Sequence, residues 1–199
     1  SFKPENVLIL SGDHIYKMHY GEMLKAHKES GAAVTIAVMP VPWEEASRFG
    51  IMNVDEEGTI TDFEEKPAEP KSNLASMGIY IFTYEVLKKY LEADERDPSS
   101  ANDFGKNIIP TMLENGEKMV SFRFEGYWKD VGTIHSLWEA NMDLVDQPPK
   151  FDLNDRSWSI YSRNMALAPH YVGQNAKITN STVTEGCFID GEIKHSVIF

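Results

Sequence analysis

Two aspartates stand where strands are expected to end, and their setting points to metal and phosphate chemistry. Asp13 follows the apolar run of residues 6–10 and comes directly after Gly12, which lets a ligand approach the backbone. Asp130 lies between a predicted strand and a predicted helix, in residues 127–133 (YWKDVGT). Because ligands bind beyond the carboxyl ends of strands in open α/β sheets, the two carboxylates can converge on one Mg²⁺. A turn or helix-capping role for each aspartate is the alternative.

A lysine at the exit of another predicted strand is a candidate phosphate ligand. Residues 63–67 (FEEKP) contain Lys66, followed by a proline that turns the chain out of the strand. Lysine supplies a compact positive charge for a phosphate, and the neighbouring Glu65 can accept hydrogen bonds from sugar hydroxyls. Ser76 offers a hydroxyl and Gly50 a close-approach glycine. Taken singly, a surface ion pair is the commoner explanation for Glu65 and Lys66.

Other chemistries find little support in the sequence. The histidines lack the spacing of zinc ligands, and there is no Gly-x-Ser-x-Gly elbow for a nucleophilic serine. The 13 glycines include neither Gly-x-Gly-x-x-Gly nor a Walker-type loop for a triphosphate. The residues alone therefore indicate an acidic α/β protein with a Mg²⁺ and sugar-phosphate site.

Composition excludes several classes of partner. A chain of 199 residues with 42% hydrophobic content can bury one core and a second, smaller one. The net charge of −12 opposes binding to nucleic acid. No apolar run approaches the ~20 residues of a membrane helix, and the first residues lack the apolar part of a signal peptide. Cys187 is the single cysteine, which excludes an intrachain disulfide. We expect a cytoplasmic protein without nucleic-acid or membrane partners.

The elements that must position these residues alternate between strands and helices. Residues 6–10 read as a strand buried on both faces, and the helix pattern that follows ends at Gly31. Residues 51–54 and 59–63 flank a turn and predict a hairpin. Further strands are predicted at 33–39, 75–82 and 118–124, and helices at 84–93, 103–115 and 133–145. This alternation predicts an α/β fold whose mainly parallel sheet is made mixed by the hairpin.

The character of the chain changes near residue 147. We predict a domain over residues 1–146, a linker over 147–170 and a repeat domain from 171 to 199. In the last part, isoleucines and valines recur every four to six residues with glycines and polar residues between them. This pattern resembles the hexapeptide repeats of a parallel β-helix. A plain β-meander would show similar spacing and stays open as the alternative.

Six motifs follow one another along the chain. They are residues 10–18 (LSGDHIYKM), 39–50 (MPVPWEEASRFG), 63–67, 75–80 (ASMGIY), 103–106 (DFGK) and 127–133. Together they resemble the sugar nucleotidyltransferase family, in the versions found in bacterial glucose-1-phosphate adenylyltransferases (ADP-glucose pyrophosphorylases). The resemblance implies a Rossmann-like mixed-sheet domain followed by the start of a left-handed parallel β-helix. It also implies that the family's nucleotide loop lies upstream of Ser1 and most of the β-helix beyond Phe199.

The resemblance implies roles for two sets of residues: the Mg²⁺ ligands Asp13 and Asp130, and the glucose 1-phosphate ligands Gly50, Glu65, Lys66 and Ser76. Lys66 would act with the two aspartates in catalysis. The implied reaction makes ADP-glucose and pyrophosphate from ATP and glucose 1-phosphate, for glycogen synthesis. The implied assembly is an allosteric homotetramer, or a heterotetramer with a regulatory paralogue. Without the nucleotide loop, this chain alone is expected to be inactive.

Two alternatives stay open within that resemblance. One is a catalytically inert regulatory or sugar-phosphate-binding paralogue, and the other is an enzyme that uses a different nucleotide. The retention of Asp13, Lys66 and Asp130 argues against the first. The missing loop would choose the base in the second. The chain also departs from the family at His19, where an aspartate is usual.

Overall fold

The computed structural model describes residues 3–163 and 165–199. The strands are β1 (Asn6–Ile9), β2 (His14–Tyr16), β3 (Val34–Pro40), β4 (Gly50–Val54), β5 (Ile60–Glu65), β6 (Leu74–Thr83), β7 (Met119–Arg123), β8 (Trp128–Asp130), β9 (Tyr171–Val172), β10 (Lys177–Thr179), β11 (Thr182–Val183), β12 (Phe188–Ile189), β13 (Glu192–Lys194) and β14 (Val197–Ile198). The helices are α1 (Tyr20–Ser30), α2 (Tyr84–Glu95), α3 (Ile109–Glu114) and α4 (Ile134–Asp143), with a 3₁₀ helix at Trp43–Arg48 and a π-helix at Phe104–Ile108.

The chain forms two compact units. The first unit comprises Ser1–Gly12 and Met18–Glu125, and the second comprises Asp13–Lys17 and Gly126–Phe199. A five-residue segment from early in the sequence therefore belongs to the same unit as the C-terminal third. The boundaries expected near residues 146 and 170 stay predictions.

A six-stranded mixed sheet lies at the centre of the first unit. Its strands run in the order β5-β4-β6-β3-β7, and β1 also pairs with β6. Only β3 and β7 pair in parallel among these strands, whereas β1, β3 and β4 are antiparallel to β6 and β4 is antiparallel to β5. The mixed α/β class is therefore confirmed, and the expectation of a mainly parallel sheet is wrong for the described residues.

The first strand differs most from its prediction. β1 is antiparallel to β6 instead of lying in a parallel sheet, and Leu8 is 39% exposed instead of buried. A short apolar run carries no information about strand direction, because direction depends on a partner that lies far away in the sequence. The predicted hairpin of β4 and β5 is confirmed, with Gly50 opposite Glu65 and Met52 opposite Phe63.

Helix ends in the first unit follow local chemistry. α1 ends at Gly31, which adopts the left-handed conformation (φ 62°) that glycine tolerates without steric cost. The helix predicted over residues 103–115 is divided into the π-helix and α3. Pro110 lies in the first turn of α3, where a missing N–H is tolerated.

The core of the first unit lies between the sheet and its helices. Its largest fully buried side chains come from the sheet and from α1 and α3, and they are Phe82, Met23, Ile36, Ile51, Met52, Met77, Ile79, Ile81, Ile109, Met112, Met119 and His27. Burial of this apolar surface is the main stabilising term for the unit.

The described residues of the second unit contain four two-stranded sheets and α4. β2 and β8 are antiparallel, with His14 opposite Asp130. α4 begins with a capping box in which Thr133 and Ser136 bond each other's backbone N–H groups. Further along, β9 pairs in parallel with β12, β10 with β13 and β11 with β14. Residues 152–163 and 165–170 contain neither helix nor strand.

Within the described ranges, none of the helices has both the length and the apolar character needed to cross a bilayer.

Candidate functional site

Asp13, His14 and Asp130 form a cluster, called here the aspartate cluster, in the second unit. One possible metal-ligand atom from each residue lies within 4.8 Å of the other two. A Cβ built on Gly132 would be 3.0 Å from Asp130 Oδ1 and 3.4 Å from Asp13 Oδ2, so both carboxylates face the same small space beside this glycine. The two aspartates, 117 positions apart in the chain, are therefore neighbours in space.

Backbone pairing holds the aspartate cluster together. The register of β2 with β8 places His14 opposite Asp130, and Val131 N donates to Asp13 O at 2.9 Å. Asp130 Oδ1 accepts from Gly132 N at 2.8 Å, which fixes this carboxylate at the turn after β8. This pairing thus places the two carboxylates close together beside the strand ends.

The buried Asp143 side chain stabilises the region around Asp130. Asp143 Oδ1 accepts from Lys150 Nζ at 2.7 Å, and Asp143 Oδ2 accepts from Tyr127 Oη at 2.8 Å and lies 3.6 Å from Lys129 Nζ. Burial alone would raise the pKa of Asp143, but the bonds from Lys150 and Tyr127 and the charge of Lys129 outweigh it, so the pKa is lowered. This network attaches β8, which carries Asp130, to α4.

The donor atoms of the aspartate cluster fit a divalent cation. Carboxylate oxygens are the preferred protein ligands of Mg²⁺, which keeps several positions for water and phosphate oxygens. Asp13 is exposed, with 57% of its side chain accessible, so a ligand can reach it. The His14 imidazole lies with Nε2 3.7 Å from Asp13 Oδ1, and its buried Nδ1 has no hydrogen-bond partner among the described residues. Imidazole nitrogen suits transition metals better than Mg²⁺, so the donor set does not define one metal.

A second group of residues, called here the glutamate cluster, lies in the first unit and consists of Gly50, Glu65, Ser76, Tyr80 and Asp103. Glu65 ends β5 directly opposite Gly50 on β4. A Cβ on Gly50 would be 3.0 Å from Glu65 Oε2, so the missing side chain makes room for the carboxylate. Pairing across this hairpin therefore places two of the predicted sugar-phosphate ligands together.

A β-bulge places Ser76 and Tyr80 beside the glutamate. Along β6, Ser76 is opposite Val38 and Tyr80 is opposite Ile36, so three residues of β6 face the single residue Ala37. Gly78, at the centre of this irregularity, has a φ of 65°, which a glycine adopts readily. Ser76 Oγ accepts from Gly78 N at 3.3 Å. Although burial raises the pKa of the Tyr80 hydroxyl, the Ser76 side chain lies near enough to Tyr80 to lower it in part. The bulge is what brings both hydroxyls to one place.

Charge and crowding perturb the glutamate cluster. Displacement of water by neighbouring atoms raises the pKa of the Glu65 carboxyl, although the residue as a whole is exposed; Lys66 opposes this, Asp103 adds to it and Lys106 opposes it. Burial is also the main cause of the raised pKa of Tyr80, which the Glu65 and Asp103 charges increase further. Raised pKa values of this kind are frequent in functional sites. The ring of Phe104 stacks on Tyr80 at 5.6 Å and gives the cluster an aromatic wall.

Lys66 has an unusual backbone. Its φ of 48° lies in the left-handed region, which costs a residue with a side chain roughly 1–2 kcal/mol. Its N–H donates to Phe49 O at 3.1 Å, and Pro67 follows it. The hydrogen bond to Phe49, at the end of the β4–β5 hairpin, keeps Lys66 in this conformation. Backbone strain of this kind is concentrated at ligand sites.

The structure thus brings together Asp13 with Asp130, and Gly50 with Glu65 and Ser76. Lys66 belongs to the first unit and the two aspartates to the second, so their expected meeting stays a prediction. Sequence reasoning assigned no role to His14, Tyr80 or Asp103, which the structure adds to the clusters. All three lie inside the motifs 10–18, 75–80 and 103–106, and that membership was the available signal.

Comparisons with known proteins agree with the family resemblance seen in the sequence motifs. Residues 1–147 match the nucleotidyl transferase family model. Over 198 residues, the chain is 59% identical to a glucose-1-phosphate adenylyltransferase of Bacillus cereus (strain ATCC 10987) and 59% identical to that of Bacillus anthracis. It is 58% identical to the protein of the same name from Bacillus mycoides (strain KBAB4). In each case the match covers 100% of this chain and 53% of the relative, so the chain spans about half the length of these relatives.

Proposed function

Since the chain belongs to the nucleotidyl transferase family, we propose that it is part of an enzyme that makes ADP-glucose and pyrophosphate from ATP and glucose 1-phosphate. The observation that carries this proposal is the proximity of Asp13 and Asp130, whose ligand atoms lie within 4.8 Å of each other. The names of the similar Bacillus proteins support the choice of substrates.

In this proposal the aspartate cluster binds Mg²⁺. Asp13 and Asp130 would be its protein ligands, with Gly132 leaving space for the ion and its phosphate oxygens. A bound Mg²⁺ neutralises phosphate charge and orients the groups for in-line displacement. The bond from Val131 N fixes the backbone of Asp13, and the bond from Gly132 N fixes the carboxylate of Asp130.

The glutamate cluster and Lys66 would bind glucose 1-phosphate. Glu65 and Asp103 supply acceptors for sugar hydroxyls, Ser76 and Tyr80 supply hydroxyl groups, and Lys66 supplies positive charge for the phosphate. In the reaction, a phosphate oxygen of glucose 1-phosphate attacks the α-phosphorus of ATP, and the bond to the β-phosphate oxygen breaks as pyrophosphate leaves. No protein nucleophile is needed. The residues act by positioning and by stabilising charge.

For the end of the chain we propose two coils of a left-handed parallel β-helix. The three parallel pairs β9–β12, β10–β13 and β11–β14 support this, because each links a strand to the third strand after it. Equivalent positions also bond across the pairs, such as Asn180 Nδ2 with His195 Nδ1 at 3.0 Å and Ser196 N with Ser181 Oγ at 3.1 Å, each 15 residues apart. A tetrameric assembly and a cytoplasmic location remain part of the proposal through the family resemblance.

The substrate assignment is tested by calorimetric titration of glucose 1-phosphate in the presence of Mg²⁺. Lys66→Ala should weaken binding at least about 10-fold, because the proposed phosphate site loses its positive charge. Lys88→Ala is the control, since Lys88 lies on the exposed face of α2 and pairs only weakly with Glu92 at 3.7 Å. Equal affinities for the two variants would contradict the role of Lys66. Pyrophosphate release should be absent with this chain alone and present with the full-length protein.

A further inference from the structure

Two glycines from different elements lie close to the Glu65 carboxylate. A Cβ at Gly50, on β4, would be 3.0 Å from Glu65 Oε2. A Cβ at Gly105, in the π-helix, would be 2.7 Å from the same oxygen. Real Cβ atoms essentially never lie that close to another atom, so any larger residue at position 105 must displace the carboxylate.

The two glycines differ in what else a side chain would contact. At Gly50, the added Cβ would also be 2.7 Å from the ring of Phe63, which packs against the core. At Gly105, the three nearest heavy atoms belong to Glu65 and Asp103, and Asp103 Oδ1 would be at an ordinary contact distance of 3.4 Å. A methyl group at position 105 therefore acts mainly on Glu65, whereas one at position 50 also disturbs packing.

We propose that Gly105 is a positioning residue for sugar recognition: its missing side chain lets the Glu65 carboxylate lie beside Asp103, where both accept hydrogen bonds from a hexose 1-phosphate. This inference rests on the proposed function of the glutamate cluster. Both carboxylates lie within 3.4 Å of one point beside the Gly105 backbone. Hydrogen bonds to hydroxyls need donor–acceptor distances of roughly 2.5–3.0 Å, so a shift of the carboxylate by about 1 Å breaks them.

The titration of Glu65 reports its placement without any ligand. Crowding and the Asp103 charge raise the pKa of this carboxyl above its ordinary value of 4.5. In Gly105→Ala, the methyl group should push the carboxylate toward water, and the pKa should move down toward that ordinary value. Carbon-detected NMR of the Glu65 carboxyl measures the change. Gly191→Ala is the control, because its Cβ would have no described atom within 4 Å and its φ lies outside the left-handed region.

Two further measurements test the inference: the affinity for glucose 1-phosphate, and the recovery of that affinity by a second substitution. Gly105→Ala should weaken calorimetric binding of glucose 1-phosphate at least about 10-fold, while Gly191→Ala changes it less than about two-fold. Glu65→Asp shortens the side chain by one methylene and makes room for the methyl group. The double variant Glu65→Asp/Gly105→Ala should therefore lose less affinity than the product of the single losses.

The outcomes separate this inference from the proposed function. An unchanged Glu65 titration with unchanged affinity in Gly105→Ala, or strictly multiplicative losses in the double variant, overturns the inference and leaves the proposed function standing. If wild-type chain binds no glucose 1-phosphate, the sugar role is overturned, while a shifted titration still supports the placement of Glu65. If Gly105→Ala fails to fold, recovery of folding by Glu65→Asp supports the contact, and persistent unfolding overturns it.

Discussion

The two clusters resemble each other in chemistry and differ in what supports them. Each places two carboxylates beside a glycine, which is Gly132 next to the aspartate cluster and Gly105 next to the glutamate cluster. The glutamate cluster lies on a six-stranded sheet with a large apolar core. The aspartate cluster lies on the two short strands β2 and β8, which a charged network around Asp143 attaches to α4. A large apolar core supports the glutamate cluster, whereas a network of charged hydrogen bonds supports the aspartate cluster, so the two clusters should respond to different perturbations.

The largest expected effect separates the clusters by their ligands. Asp130→Asn should weaken Mn²⁺ binding, measured by electron paramagnetic resonance, by at least about 10-fold, because a coordinating charge is lost. Glu65→Gln should leave Mn²⁺ binding unchanged, because Glu65 belongs to the other cluster. If Glu65→Gln weakens Mn²⁺ binding as strongly as Asp130→Asn does, the two clusters do not bind separate ligands.

A second substitution tests the electrostatic support directly. Asp143→Asn should cost about 2 kcal/mol of unfolding free energy, since a carboxylate with an 8% exposed side chain loses charged hydrogen bonds from Lys150 and Tyr127. Denaturant unfolding measures this cost, and hydrogen exchange should accelerate in β8 but not in β6. Asp146→Asn is the control, because Asp146 pairs with the same Lys150 at 3.1 Å but is 36% exposed and should cost below ~0.5 kcal/mol.

Acid should loosen the two units in different pH ranges. Burial lowers the pKa of His27, which is 2% exposed and bonds Thr35 Oγ1 at 2.8 Å and Thr83 Oγ1 at 3.3 Å. The unfolded chain therefore binds a proton at His27 more readily than the folded chain does. The contribution of neutral His27 to the free energy of unfolding is complete above pH 6.5 and is lost as the pH falls below that value. For Asp143, whose pKa is also lowered, the loss begins only below pH 3.8.

Hydrogen exchange at a series of pH values, corrected for intrinsic rates, measures this difference between the units. Amides of β3 and β6 should lose protection below pH 6.5, while those of β8 keep it to more acidic conditions. His27→Gln should remove the pH dependence of β3 and β6 in that range. Loss of protection in all three strands at one pH would contradict the view that different ionisable groups stabilise the two units.

The smallest effects concern the helix caps. α4 has the Thr133–Ser136 capping box, whereas the His19 side chain makes no capping hydrogen bond to α1 among the described residues. His19→Asp should raise the unfolding free energy by about 1 kcal/mol, because an aspartate can accept from the first-turn N–H groups and Glu22 stands at the third helical position. Thr133→Ala should lower it by about the same amount. A destabilising His19→Asp, detected by thermal unfolding, would show that His19 has another role.

Local patterns predicted much of the fold. The hairpin of β4 and β5, the end of α1 at Gly31 and the strand β6 follow from turn residues, glycine conformation and apolar periodicity, all of which act over a few residues. The direction of β1 did not follow, because it depends on pairing with β6, more than 70 residues away. The bulge at Gly78 was also hidden, since it is defined by the register of β6 against β3.

Residue types and their order establish which chemical groups are present: two strand-end aspartates, a glutamate followed by a lysine, and the glycines between the elements. Folding adds that Asp13 lies next to Asp130, and that Tyr80 and Asp103 lie near Glu65. The physical reason is that pKa, metal affinity and hydrogen bonding depend on distances of a few ångströms through space. Such distances between residues far apart in the chain are fixed by strand register, which residue types alone do not reveal.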